Sequence, residues 1–331
     1  MEELWVEQSL VGSGSSVEFR GCTCTVSLPE RPVNMGDHEF GVLGGYVDDR
    51  DGQRIKTAYK YLPVYVEIPS DLTADQFPAT ELPTELRDRT EELYRTGAQI
   101  ASELATQYVR WLRVLSGQSS IGPSNIKLSD ARAVLFDKTG ERIPLGFISM
   151  PGARGRLGEA MRAATPANHD TALLAAAEGN EPPLAEALLA DAEYLTTDAV
   201  HPDVRLGVLL AAIACEVKVK EAITEVAQPS QIGLIDVIVK HHQQVHVPAV
   251  VRFHLLMDAI CQRSLQRENS ALYTRVEKLF AARNKIAHIG HKTLEPGEDL
   301  QAHVKTAQDA FAWLNSIITE HGQTQAAENA R

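Results

Sequence analysis

With 331 residues, 44% of them hydrophobic, the chain can bury a substantial core and exceeds the usual size of one domain, so two domains are expected. A net charge of −12 argues against a general nucleic-acid coat protein, whose hold on phosphate needs clustered lysine and arginine. Cys22, Cys24, Cys215 and Cys261 show no metal-binding spacing and read as reduced, structural thiols. The start Met-Glu-Glu lacks a basic segment leading into an apolar core, and the longest apolar run, Leu206 to Cys215, is too short to cross a bilayer. A cytoplasmic protein with no membrane partner is expected.

Residues 1 to 70 read as strands. Leu4-Trp5-Val6, Val17 to Val26, Phe40 to Val47 and Thr57 to Ile68 are separated by Gly-Ser, Pro and Asp-Asp-Arg-Asp-Gly signals. Alternation over Tyr61 to Ile68 predicts a strand that Pro63 places at an edge or interrupts. A helix follows from about Thr84 to Leu115, because Leu93, Gly97, Ile100, Leu104, Tyr108, Leu112 and Leu115 recur at three- and four-residue intervals. After a Ser-Gly-rich loop at 116–125, the run from Ala131 to Leu145 predicts a hairpin turning near Lys138-Thr139-Gly140. Residues 1–150 are therefore expected to form an α+β domain, β-rich with one long helix, and nothing in them names a ligand.

Residues 151–179, rich in Gly, Ala and Arg, read as a linker with a short helix near Leu157 to Ala164. From there the pattern is helical, with segments over about Pro183 to Leu195, Val204 to Val226, Ile232 to Gln244, Val250 to Gln266, Ser270 to Ile286 and Asp299 to His321. The second carries Val208, Ala212, Cys215, Val219, Ala222 and Val226 on one stripe and is expected at the centre. Short connections without strand signals predict an all-α antiparallel bundle over residues 180–331.

In the Ser270 to Ile286 segment, Asn269 is the expected N-cap and Leu272, Val276, Leu279 and Phe280 the buried face. The segment closes on Ala282-Arg283-Asn284-Lys285-Ile286-Ala287-His288-Ile289-Gly290. Arginine presents a planar, permanently charged fork that matches a phosphate, and histidine takes or gives a proton near neutral pH. The bare Arg-x4-His spacing is uninformative, since 21 arginines and 11 histidines in 331 residues give about 0.7 chance pairs. The context carries the weight: asparagine directly after the arginine, Ile-Ala before the histidine, a glycine two residues beyond, and helical patterns on both sides.

On these residues the chain resembles the HEPN superfamily, over roughly residues 180–322. The resemblance implies a four- or five-helix bundle and a homodimer in which two facing motifs form one cleft. It further implies metal-independent endoribonuclease activity, with no cofactor, in a toxin or anti-phage (abortive infection) effector. Attack by the ribose 2′-hydroxyl on the adjacent phosphorus would leave a 2′,3′-cyclic phosphate, so DNA would be inert. Arg283 and His288 would be catalytic, and Asn284 would orient the phosphate or the partner motif. Residues 1–150 would then sense or restrain the activity, and an antitoxin or regulatory partner is expected. Some family members keep the fold as non-catalytic dimerisation or binding modules, which leaves that reading open here.

Each assignment has a bland alternative. Arg283 and His288 both suit a helix C-terminus, where cations are favourable. Glu216 either faces the motif, as an acidic residue does in several HEPN branches, or pairs on the surface with Lys220 four residues on. From Cys261 to Lys292 seven basic residues (Arg263, Arg267, Arg275, Lys278, Arg283, Lys285, Lys292) face two acidic ones (Glu268, Glu277), a local balance of +5. RNA contacts are accordingly expected at Arg275, Lys285, His291 and Lys292, the alternative being an ordinary solvated face. Arg283 and His288 are five positions apart, or about 140° around a regular helix. Either the helix ends near Ile286, or two copies of the motif meet across a dimer. His242 and His246, beside His241, have the spacing of metal ligands on a helix, but no third ligand is evident, which makes a metal-dependent hydrolase the remaining reading.

Overall fold

The computed structural model describes residues 4–30, 33–35, 38–40, 42–47, 54–59, 62–73, 76, 83–121, 135–137, 139, 142–143, 163–198, 202–240, 248–289 and 299–329. The chain divides into two compact units, Met1–Pro182 and Pro183–Arg331. The first is an α+β unit and the second is helical, the layout the sequence pattern predicts.

The first unit opens with β1 (Leu4–Glu7), β2 (Ser13–Phe19) and β3 (Cys22–Leu28). The run Val17 to Val26 is a hairpin rather than one strand. Arg20 and Gly21 both have positive φ, 51° and 76°, the mirror-image turn that suits a two-residue loop, and Phe19 pairs with Cys22 across it. Next come β4 (Val33–Met35), β5 (His38–Phe40), β6 (Val42–Val47), β7 (Arg54–Tyr59) and β8 (Val64–Glu67). They form antiparallel sheets of order β1-β7-β6 and β2-β3-β8, with β4 and β5 paired separately. Pro63 precedes edge strand β8, where its missing N–H is not needed, and its carbonyl accepts from Ser27 N–H at 3.0 Å.

Helix α1 (Thr84–Ser116) matches the predicted helix and ends at Gly117 in the left-handed conformation. Its Ile100, Leu104, Tyr108 and Leu112 join the inward residues of β3, Cys22, Cys24, Val26 and Leu28, in one core. The expected hairpin near 138–140 is present as β9 (Leu135–Phe136) paired with β10 (Arg142–Ile143). Helix α2 (Pro166–Ala177) corrects the linker at 151–179. It packs on α1 and β2, puts Ala172, Leu173 and Ala176 into the same core, and starts from a Thr165–Asn168 capping box. Its alanine-rich sequence offers little polar contrast between faces, which hid it. The short helix expected over 157–164 lies outside the described residues as far as 162, while Ala164 bridges to Val6 as a parallel pair.

The second unit starts with α3 (Leu184–Glu193), which runs into a π-helical turn, Tyr194–Asp198, before α4 (Val204–Val226). Then follow α5 (Ile232–Lys240), α6 (Ala249–Val251), a π-helical stretch Arg252–Leu256, α7 (Met257–Cys261), α8 (Leu265–Glu268), α9 (Ser270–Ile289) and α10 (Leu300–Asn329). Helix α4 is central, packed on α3, α9 and α10, with the predicted stripe from Val208 to Val226 buried. The predicted helix Val250 to Gln266 is broken: Gln262 takes φ of 60°, and Ser264 accepts Arg267 N–H at 3.4 Å to cap α8. Asn269 caps α9 as expected, accepting from Leu272 N–H at 2.9 Å. Helices α9 and α10 lie antiparallel, fastened by Arg275 to Asp309 at 3.0 Å, while Trp313 Nε1 of α10 donates to Glu268 of α8 at 2.9 Å. Among the described residues no helix is long and apolar enough to cross a membrane.

Candidate functional site

Helix α9 does not end near Ile286; it continues through Ile289 and carries both motif positions. Positions 283 and 288 are therefore separated by about 140° around the axis and about 7.5 Å along it, and they start from different faces of one helix. Ala282 and Ile286 face the core, Arg283 and Lys285 are half-buried, and Asn284 is exposed. Arg283 Nη1 donates to Asn284 Oδ1 at 2.9 Å, so the asparagine carboxamide holds the guanidinium beside it. Of His288 only the helical backbone is described; its side chain, and His291 and Lys292 entirely, lie outside the described residues.

Contacts between helices set the level of this end of the unit. Counting along antiparallel α9 and α10 from the Arg275–Asp309 pair puts Arg283 level with Gln301. Gln301 Nε2 donates to Thr196 O at 3.1 Å, and Thr196 packs on Gly207, near the amino-terminal end of α4. Glu216 is nine residues further along α4, about 13 Å at 1.5 Å per residue.

Glu216 has its own partners there. Its Oε1 accepts from Arg252 Nη1 at 3.0 Å and from Lys220 Nζ at 3.2 Å. Burial pushes this carboxyl up, but the hydrogen bonds and charges of Arg252 and Lys220 outweigh it and hold it below the usual carboxylate range. Glu216 thus serves an ion-pair node with Lys220 and Arg252. Lys220 was the named alternative; Arg252, 3% exposed in the π-helical stretch, was missed. The available signal was a single cation inside the apolar run Ala249 to Met257, which requires a carboxylate from a neighbouring element.

The local excess of positive charge is also compensated in part. Arg263 pairs with Glu268 at 2.8 Å and Glu320 at 2.5 Å, Arg267 with Asp258, and Arg275 with Asp309, which Lys305 shares at 3.0 Å. Asp258, Asp309 and Glu320 come from α7 and α10, outside the window in which the charge was counted. Arg275 is thus tied to α10 through Asp309. Arg283 differs, since its described hydrogen bond goes to a neutral amide.

His241, His242 and His246 lie outside the described residues, and among the described residues no group of three His, Cys, Asp or Glu side chains is placed to hold a metal ion. No family model, curated protein or solved structure matches the chain.

Proposed function

We propose that the helical unit is a HEPN-type endoribonuclease that works as a homodimer without a metal ion. The observation that carries the reading is Arg283 near the end of α9, its guanidinium oriented by Asn284 and, among the described residues, by no carboxylate, with position 288 one and a half turns on. A guanidinium with undiminished charge is what a phosphate needs. Because positions 283 and 288 diverge on one continuous helix, a single cleft containing both groups draws them from two copies of the chain.

In this scheme the 2′-hydroxyl oxygen bonds to the adjacent phosphorus and the bond to the 5′-oxygen breaks. His288 takes the hydroxyl proton or supplies one to the leaving oxygen, a role worth about 10² to 10⁴ in rate. Arg283 stabilises the charge that develops on the phosphate, for which one positioned donor is worth about 10² to 10³. Asn284 positions Arg283. The α+β unit senses a signal or restrains the activity, in the manner of a toxin or anti-phage effector.

A second reading, a catalytically silent dimerisation or binding module, is favoured by the ion pairs that consume Arg263, Arg267 and Arg275. One experiment separates the two: purified protein is incubated with total RNA and tRNA in EDTA beside Arg283→Ala and His288→Ala. Cleavage by the parent alone, leaving 2′,3′-cyclic phosphate ends, is the expected result. Equal cleavage by parent and variants refutes the ribonuclease reading, and none by any favours the binding module or a restraint still in place.

A further inference from the structure

The first unit contains a chain of three hydrogen-bonding side chains that joins three elements. Tyr108 of α1 contacts His169 Nδ1 of α2 through its hydroxyl at 2.5 Å, and His169 Nε2 lies 3.0 Å from Ser15 Oγ of β2. Tyr108 is fully buried and His169 is 2% exposed, so neither exchanges partners with bulk water.

Proton direction follows from supply. Among the described residues the Tyr108 hydroxyl proton has one acceptor, Nδ1, and a buried hydroxyl left without an acceptor is costly. Tyr108 therefore donates to Nδ1, which leaves the ring proton on Nε2 to be donated to Ser15 Oγ. In that tautomer His169 cannot take a proton from Ser15, so the trio is not a serine nucleophile with its base. A doubly protonated imidazole needs acceptors at both nitrogens, and Tyr108 would then have to turn its own proton away with nowhere to place it.

The same helix is attached by further polar contacts at each end. Asn168 Nδ2 donates to Leu115 O at 3.3 Å, and beyond the helix Trp111 Nε1 donates to Asn180 O at 2.8 Å. Glu181 accepts from Arg110 at 2.6 Å and from Gln107 at 3.2 Å. Pro183, where the second unit begins, is two residues on from Glu181.

We propose that Tyr108–His169–Ser15 is an acid-release latch: neutral His169 holds α2 on α1 and β2, and its protonation frees the segment 165–182, lengthening the tether between the two units. The charged groups around it are few. Asp170, on α2, favours the protonated ring, while burial disfavours it and dominates, holding His169 below the usual histidine value. On α1, Arg110 is paired with Glu181 and Glu103 with Arg20, while the buried Arg113 is five positions from Tyr108, about 140° round the helix. On β2, Glu18 accepts from Thr23. A histidine kept neutral when docked and ordinary when released makes release take up one proton, so the released fraction rises tenfold per pH unit below about 6.5 and levels off once the docked ring titrates.

The test uses the full chain and two readouts. Nitrogen-detected NMR of His169 at neutral pH is expected to show the Nε2–H tautomer. Amide exchange, corrected for its intrinsic pH dependence, is expected to show the opening of 166–177 rising tenfold per pH unit below about 6.5, with 100–112 of α1 unchanged. His169→Gln is expected to abolish that slope. An Nδ1–H tautomer in the parent, which needs no variant to fold, overturns the proposal, as does a slope that persists in His169→Gln or appears equally in α1.

Discussion

Gly207→Ala in α4 and Gly233→Ala in α5 are the same substitution in two helices, and the structure expects opposite signs. A methyl group at 207 would lie 2.5 Å from Thr196 Cγ2 and 3.0 Å from the Ala192 carbonyl oxygen. Neither neighbour yields readily. Thr196 is 1% exposed, and its hydroxyl donates to Ala192 O and Glu193 O, each at 3.0 Å, which locks its rotamer. A contact of 2.5 Å places this overpacking in the upper part of the usual range, about 2–3 kcal/mol, against about 1 kcal/mol gained when alanine replaces glycine inside a helix. Gly207→Ala should therefore destabilise the helical unit by about 1–2 kcal/mol. A methyl at 233 meets nothing within 4 Å, so Gly233→Ala should keep the helix gain of up to about 1 kcal/mol.

The two variants then differ by about 2–3 kcal/mol, a factor of roughly 30 to 150 in the opening constant. Amide exchange of the most protected α4 peptides reads this directly and reports on the helical unit alone, which whole-chain denaturation of two compact units would not. Thr196→Ser removes Cγ2 but keeps the hydroxyl, and should recover part of the loss in the Gly207→Ala background. A Gly207→Ala protein as stable as the parent would refute the packing of α4 against the π-helical turn.

Mixing Arg283→Ala with His288→Ala protein should restore about a quarter of parental ribonuclease activity, because half the dimers are then mixed and each has one intact composite site; no recovery would assign both groups to one chain. Hydrogen bonds from Arg263 hold the Glu268 carboxyl down to about 2, against the opposing effect of burial. A depressed carboxylate contributes stability in full above its ordinary value near 4.5 that is lost as pH falls toward 2, so Glu268→Gln should flatten the acid limb of exchange in 263–268; an unchanged limb would refute the assignment. Burial pushes the Cys24 thiol up to about 11 and Cys215 up to about 12, whereas Cys261 is half-exposed. Ellman's reagent should therefore label Cys261 first in the native protein, and a fast phase surviving in Cys261→Ser would contradict this.

What could be read from the chain depended on whether the cause was local. Helix α4 has the bounds expected of it, and α1 extends one residue past its expected end, because apolar residues repeating every three or four positions bury a stripe wherever the helix docks. The Arg20-Gly21 turn was equally local but was masked by β-forming residues on both sides, which made two strands look like one. Helix α2 was hidden for a different reason: alanine is a strong helix former with little hydrophobic contrast, so its membership in the core appears only once α1 is beside it.

The candidate site shows the same division more sharply. Charge counted along a contour from Cys261 to Lys292 describes the chain, while the field at a phosphate depends on what other elements bring alongside, and here Asp258, Asp309 and Glu320 are brought to Arg267, Arg275 and Arg263. That compensation weakens the case for a broad nucleic-acid surface and sharpens the case for one residue. Arginines that hold helices together are paired with carboxylates, and Arg283, on the same helix as Arg275, is hydrogen-bonded to the amide of its own neighbour instead. An amide fixes direction without cancelling charge, which is the requirement for binding an anion and not for closing a core.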